Sequence, residues 1–87
     1  MMMKSFTYVI TDPLGMHARP AGLFVKAASG YDSDIKIVKG GKEADGKKIF
    51  AVMGLAVKCG EEVTITLAGA DEDDALEALE RFMKENL

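Results

Sequence analysis

The sequence predicts an α+β fold: an open-faced β-sandwich whose four-stranded antiparallel sheet is covered on one face by three helices, in the order β-α-β-β-α-β-α. Two patterns carry this reading. Val63-Thr64-Ile65-Thr66-Leu67 puts apolar side chains on one face and threonines on the other, as a strand with one wet face requires. Ala75, Leu76, Leu79, Phe82 and Met83 recur at helical spacing behind an acidic start, as an amphipathic helix laid on that sheet requires. A chain of 87 residues supports one domain, 1–87, with no room for a second.

The remaining elements follow in order. Phe6-Thr7-Tyr8-Val9-Ile10-Thr11 is β-branched and aromatic and roughly alternates, giving a first strand ended by Asp12-Pro13. Leu14-Gly15-Met16 forms a loop ahead of His17. From Ala18 to Ser29 the composition is helical, with Ala21, Phe24, Val25 and Ala28 as the apolar stripe and Gly30 suited to the C-terminal cap. Gly22 costs that helix up to ~1 kcal/mol relative to alanine, so it reads either as a close approach by a neighbour or partner, or as a tolerated weak spot. Asp34-Ile35-Lys36-Ile37-Val38-Lys39 alternates as a second strand, Gly40-Gly41 turns, and Lys42-Glu43-Ala44-Asp45 returns antiparallel. Lys48 to Leu55 suits one or two helical turns, with Gly54 and Gly60 marking the exit. The last helix opens on Asp71-Glu72-Asp73-Asp74, whose charge complements the helix dipole.

Composition narrows the function classes. The chain is 48% hydrophobic and 29% charged, a balance that a disordered segment does not reach. A net charge of −3 argues against a general nucleic-acid binder, which needs a basic face to displace counterions. No apolar run approaches the ~20 residues of a membrane span, and no signal-peptide core follows Met1-Met2-Met3-Lys4, so no membrane insertion and a cytoplasmic location are expected. The single cysteine, Cys59, excludes an intramolecular disulfide and reads as a small buried apolar residue or an idle thiol. With one cysteine and one histidine far apart, neither a zinc site nor another metal centre is expected, and no cofactor is implied. The acids concentrate at Asp71-Glu72-Asp73-Asp74 and along the last helix. Arg19, Lys26, Lys47 and Lys48 would form a locally basic surface if their segments meet in space.

The one histidine, His17, sits in Gly15-Met16-His17-Ala18-Arg19-Pro20, directly ahead of the first helix. Free amides at a helix start favour a phosphate-sized anion, those of Ala18 and Arg19 being nearest here. Arg19 adds a permanent charge able to pair phosphate oxygens. Pro20 fits the first turn, where its missing N–H would have no helical partner. An imidazole in that place can take a phosphoryl group on one nitrogen and later surrender it. A lone loop histidine is otherwise most often a solvated or capping residue.

This hexapeptide resembles the active-site motif of the HPr family, the histidine-containing phosphocarrier proteins of the bacterial sugar phosphotransferase system. The resemblance runs from Phe6 to about Met83 and includes Lys47-Lys48-Ile49-Phe50-Ala51-Val52-Met53 and Gly69-Ala70-Asp71-Glu72-Asp73-Asp74-Ala75-Leu76. It implies a stoichiometric carrier rather than a stand-alone enzyme. Such a carrier receives a phosphoryl group from phosphorylated enzyme I on Nδ1 of His17 and passes it to EIIA domains of sugar permeases. It also implies that Arg19 and the helix-start amides hold the phosphoryl oxygens, and that Met16, Leu23, Lys26, Ile49, Phe50 and Met53 serve docking. Phe50 is expected to be exposed, while Ile49 and Met53 fit either the docking patch or the core.

The chain departs from the family pattern at Lys48, where many members carry a serine that a dedicated kinase phosphorylates. Lysine offers no hydroxyl, and its charge is opposite to that of phosphoserine, so no regulatory serine is expected there. Two other classes remain open. A small acyl-phosphate hydrolase would need an asparagine to position water, and the one asparagine, Asn86, falls at the chain's end. A non-catalytic regulatory module would not require His17 at all.

Overall fold

The computed structural model describes residues 3–87, and Met1 and Met2, the start of the segment read for a leader, lie outside the described residues. Seven elements follow one another: β1 (Met3–Val9), α1 (Ala18–Ser29), β2 (Asp34–Lys39), β3 (Lys42–Asp45), α2 (Ile49–Gly54), β4 (Glu62–Ala68) and α3 (Glu72–Asn86). The sheet order is β1-β4-β2-β3 with every pair antiparallel. The expected α+β architecture is therefore the observed one.

Period-two alternation decides which face of the sheet is covered. Ile35 and Ile37 of β2 and Val63, Ile65 and Leu67 of β4 are buried, and the register sets Ile37 opposite Ile65 and Ile35 opposite Leu67. Thr64 and Thr66 keep their hydroxyls on the open face, half-buried. The helices close the other face with Ala21, Phe24 and Ala28 from α1, Val52 from α2, and Ala75, Leu79 and Met83 from α3. Phe24 meets Phe82 edge to face, ring centroids 5.8 Å apart at 70°, which ties α1 to α3. Burying a side chain of this size removes about 1.5–3 kcal/mol worth of apolar surface from water.

Several boundaries differ from the sequence expectation for identifiable reasons. Strand β1 begins at Met3 rather than Phe6 and ends at Val9 rather than Thr11, its register with β4 running from Ala68 to Glu62. Ile10 still bonds the Glu61 carbonyl and the Gly60 N–H before the chain leaves the sheet. The Ile10 side chain turns into the core, and the Thr11 hydroxyl donates to the Leu87 backbone oxygen at 2.7 Å. Gly30 caps α1 at φ −77°, so its glycine freedom is not used there. The left-handed residue at the end of α2 is Ala56 at φ +51°, not Gly54, a conformation that disfavours a Cβ by about 1–2 kcal/mol. It is held because the Lys39 ammonium donates to the Leu55 and Ala56 carbonyls, each at 3.1 Å. The Cys59 thiol is free and exposed, so of the two roles expected for it the buried apolar one does not apply.

The entry into α3 is fixed by two carboxylates. Asp71, at the N-cap position, leaves its own helix uncapped and instead accepts the backbone N–H groups of Asp32 at 2.8 Å and Ser33 at 2.9 Å, together with the Ser33 hydroxyl. Glu72, the first residue of α3, reaches back to accept the Gly69 N–H at 3.1 Å and so ties the helix start to the turn before it. Gly69 is required here, since a Cβ would lie 2.6 Å from Ser33 Cα.

The Ser33 hydroxyl and then the Asp32 amide hold the Asp71 carboxyl below its ordinary pKa. A carboxylate lowered in the folded state contributes stability above its unfolded pKa, and that contribution is lost as pH falls through the folded value. We expect Asp71→Asn, which keeps an acceptor oxygen but no charge, to melt lower than the parent protein near pH 7. The two melting curves should converge as the pH is taken from about 5 towards about 2. Equal melting temperatures across that range would contradict the assignment.

Candidate functional site

The residues between β1 and α1 form a tight turn dictated by their own chemistry. Asp12, Pro13 and Gly15 occupy the first, second and fourth places of a β-turn, positions that favour these residue types. The Gly15 N–H donates to the Asp12 carbonyl at 2.9 Å, and the Leu14 N–H donates to Asp12 Oδ1 at 2.8 Å. Gly15 has φ +68°, and a Cβ there would come within 2.3 Å of the Val57 carbonyl oxygen. Both the backbone conformation and the close approach demand glycine.

Three attachments hold this turn to the body of the protein. The Thr11 and Asp12 N–H groups donate to the Leu87 backbone oxygen at the end of α3. The Met16 N–H donates to the Val57 carbonyl at 2.9 Å. The Met16 side chain is itself in the core, 4% exposed. This corrects the expectation that Met16 joins a docking patch: the residue is used from the inside, anchoring the loop that carries its neighbour. The Val57 segment is braced in turn by Lys39, whose ammonium also pairs with Glu61 at 3.1 Å, while Glu61 accepts the Lys58 N–H at 2.7 Å. The Lys58 amide first and the Lys39 ammonium second hold the Glu61 carboxyl below its ordinary pKa.

His17 emerges from this support as the N-cap residue of α1, with extended backbone at φ −83°, ψ −173°. Its carbonyl accepts the Ala21 N–H at 3.0 Å and its own N–H donates to Gly15, so its backbone is committed to the helix and the turn. Its imidazole makes no capping hydrogen bond and is about a third exposed. Nε2 lies 4.0 Å from Asp12 Oδ1. Since Pro20 has no N–H, the amides of Ala18 and Arg19 are the two donors that the helix start leaves over. Arg19 and Lys26 are exposed, and neither meets a carboxylate within 4.0 Å among the described residues. An imidazole, two free amides and an unpaired guanidinium thus share one helix end open to an anion.

Helix α2 packs beside α1. Ile49 Cδ1 lies 3.5 Å from where a Gly22 Cβ would sit, so the weak residue of α1 faces its neighbour at contact distance. Ile49 is half-buried by that contact, whereas Phe50 is 85% exposed, Leu23 45% and Met53 37%. Leu14, which the sequence reading treated only as part of a loop, is 73% exposed one turn from His17. The basic cluster is smaller than expected. Lys47 donates its ammonium to the Tyr31 carbonyl at 2.7 Å, at the far end of α1 from His17, and is half-buried there. Lys48 is exposed at the start of α2.

The alternative hydrolase finds little support in this geometry. The Asn86 amide donates to the Phe82 carbonyl at 3.0 Å within its own helix. No group of three or more His, Cys, Asp or Glu among the described residues is placed to hold a metal ion, and no described helix is long and apolar enough to cross a membrane.

Comparison with known proteins agrees with the geometry. The family model described as the PTS HPr component phosphorylation site matches residues 4–85. The phosphocarrier protein HPr of Mycoplasma capricolum subsp. capricolum is 42% identical over 81 residues, covering 93% of this chain and 91% of the relative. That of Mycoplasma genitalium is 40% identical over 85 residues and covers 97% of each chain. Among solved structures, a mycoplasma histidine-containing phosphocarrier protein superposes with a TM-score of 0.92 at 40% identity, covering 94% of this chain and 93% of its own. With its motif, its element order and its full-length relatives in agreement, this chain belongs to the HPr family of the phosphotransferase system.

Proposed function

We propose that this protein is a phosphocarrier that accepts a phosphoryl group from phosphorylated enzyme I on Nδ1 of His17 and passes it to EIIA domains of sugar permeases. The observation that carries this reading is the unused imidazole at the N-cap of α1, facing solvent beside the Ala18 and Arg19 amides. In each transfer the nucleophile and the anion-binding donors stand already oriented. Phosphoryl transfer is accelerated chiefly by such positioning and charge stabilisation. No further catalytic group is needed, so the protein acts as a stoichiometric carrier in the cytoplasm, where its partners would meet it.

A carrier must dock on unlike partners and leave quickly, which favours a small apolar surface rimmed by charge. Leu14, Leu23, Phe50 and Met53 provide exposed apolar area on the two helices and the loop around His17, with Ile49 partly accessible between them. Arg19, Lys26 and Lys48 supply positive charge to a protein that is otherwise acidic. Phe50 is the strongest anchor, because its aromatic ring is large and 85% exposed, so docking against a partner would withdraw the most apolar surface from water there. At Lys48 no hydroxyl is offered, so the serine-dependent control found in many relatives is absent from that position.

His17→Ala should keep the parent's melting temperature, since its imidazole makes no hydrogen bond in the fold, and should accept no phosphoryl group in an intact-mass assay. Arg19→Ala should still be labelled, but about tenfold more slowly, the loss expected for a charge-assisted hydrogen bond. Labelling of His17→Ala at the parent rate would defeat the proposal. Phe50→Ala should weaken binding to enzyme I roughly tenfold in a calorimetric titration, with little change in melting temperature. A large fall in melting temperature with unchanged affinity would assign Phe50 to the fold instead.

A further inference from the structure

Asp12 is the carboxylate of this site, and the phosphocarrier reading gives it no part. Its Oδ1 stands 4.0 Å from His17 Nε2 and accepts the Leu14 N–H at 2.8 Å. Its own backbone N–H donates to the Leu87 oxygen at 2.9 Å. The Leu14 amide thus fixes the carboxylate and the Leu87 oxygen fixes the backbone that carries it, with the side chain 27% exposed. A carboxylate fixed beside one nitrogen of an imidazole favours a proton on that nitrogen. A neutral imidazole carries only one proton, so the other nitrogen keeps its lone pair.

We infer that Asp12 is a positioning residue that keeps the proton on Nε2 of His17 and leaves Nδ1 free to attack phosphorus. The inference rests on His17 being the phosphoryl acceptor. In the step it serves, the Nδ1 lone pair forms the new P–N bond while the P–N bond of a phosphohistidine donor breaks, its electron pair returning to the donor's ring. The His17 ring, still carrying its Nε2 proton, becomes a phosphoimidazolium cation, and the Asp12 carboxylate faces that positive charge as it develops. In hydrolytic triads a carboxylate hydrogen-bonded to an imidazole N–H sets the tautomer and stabilises the positive ring. At 4.0 Å the contact here is one of charge and not a hydrogen bond, so its effect is moderate and screened by salt.

Because His17 is the chain's one histidine, 15N NMR of the uniformly labelled protein reads its two ring nitrogens without ambiguity. The measurement pairs those signals with the rate of phosphoryl acceptance for the parent protein, Asp12→Asn and Asp12→Ala. Asparagine keeps an oxygen for the Leu14 N–H and removes only the charge. The parent should show a protonated Nε2 and an unprotonated Nδ1. Asp12→Asn should show a larger share of the Nδ1–H tautomer and accept the phosphoryl group about two- to fivefold more slowly at low salt, the difference closing as salt is raised. Ring signals and rates of Asp12→Asn equal to those of the parent would overturn the inference. So would a slow Asp12→Ala beside an Asp12→Asn at the parent rate, which would confine Asp12 to shaping the loop. If no protein, the parent included, gains a phosphoryl group, the phosphocarrier reading fails, and an unshifted tautomer in Asp12→Asn still overturns the role of Asp12.

Discussion

The site depends on the clamp that holds the turn between β1 and α1 against the body of the protein. Leu87 at the end of α3 takes the Thr11 and Asp12 amides, Val57 takes the Met16 amide, and the Met16 side chain drops into the core. Burial of that side chain alone stabilises the loop by about 1.5–3 kcal/mol relative to leaving it in water. With the loop fixed on both sides, His17 enters α1 with extended backbone and its imidazole left over. A looser loop would let the histidine rotate to cap its own helix or move away from the free amides, and the imidazole would no longer stand beside the anion site.

The support reaches further than the loop. Lys39 on β2 holds the carbonyls that close α2 and pairs with Glu61, which in turn fixes the Lys58 amide. That segment is the surface against which Gly15 rests so closely that no side chain would fit. Charge on the sheet, strain at Ala56 and the placement of His17 thus belong to one mechanical chain. The outward residues serve a different end. Phe50 and Leu14 remain in water, outside the core, and are available to the docking surface proposed above.

Much of this was legible in the sequence, and the reasons differ by element. Strands β2 and β4 and helices α1 and α3 announce themselves by periodicity, because each buries a single face. The span of α1, from Ala18 to Ser29, follows from the motif ahead of it and the glycine after it. His17 stands out because histidine, helix start and arginine coincide within three residues. Local pattern was blind to what lies far away in sequence. Nothing near Met16 says that Val57 will take its amide, and nothing near Lys47 says that its ammonium will go to Tyr31. An apolar residue in a basic motif reads equally as docking surface or as anchor, and only the burial decides. Asp12 carried a signal in its turn, Asp-Pro-x-Gly, but four residues separate it from His17 and no helical or strand period links them. The turn's fold brings the two together.

The central claim is tested most directly by incubating the protein with enzyme I and phosphoenolpyruvate and measuring its intact mass. The account predicts one added phosphoryl group, labile in acid and stable in base, as a phosphoramidate must be. An unchanged mass under conditions that phosphorylate enzyme I itself, or an adduct that survives acid, would contradict it.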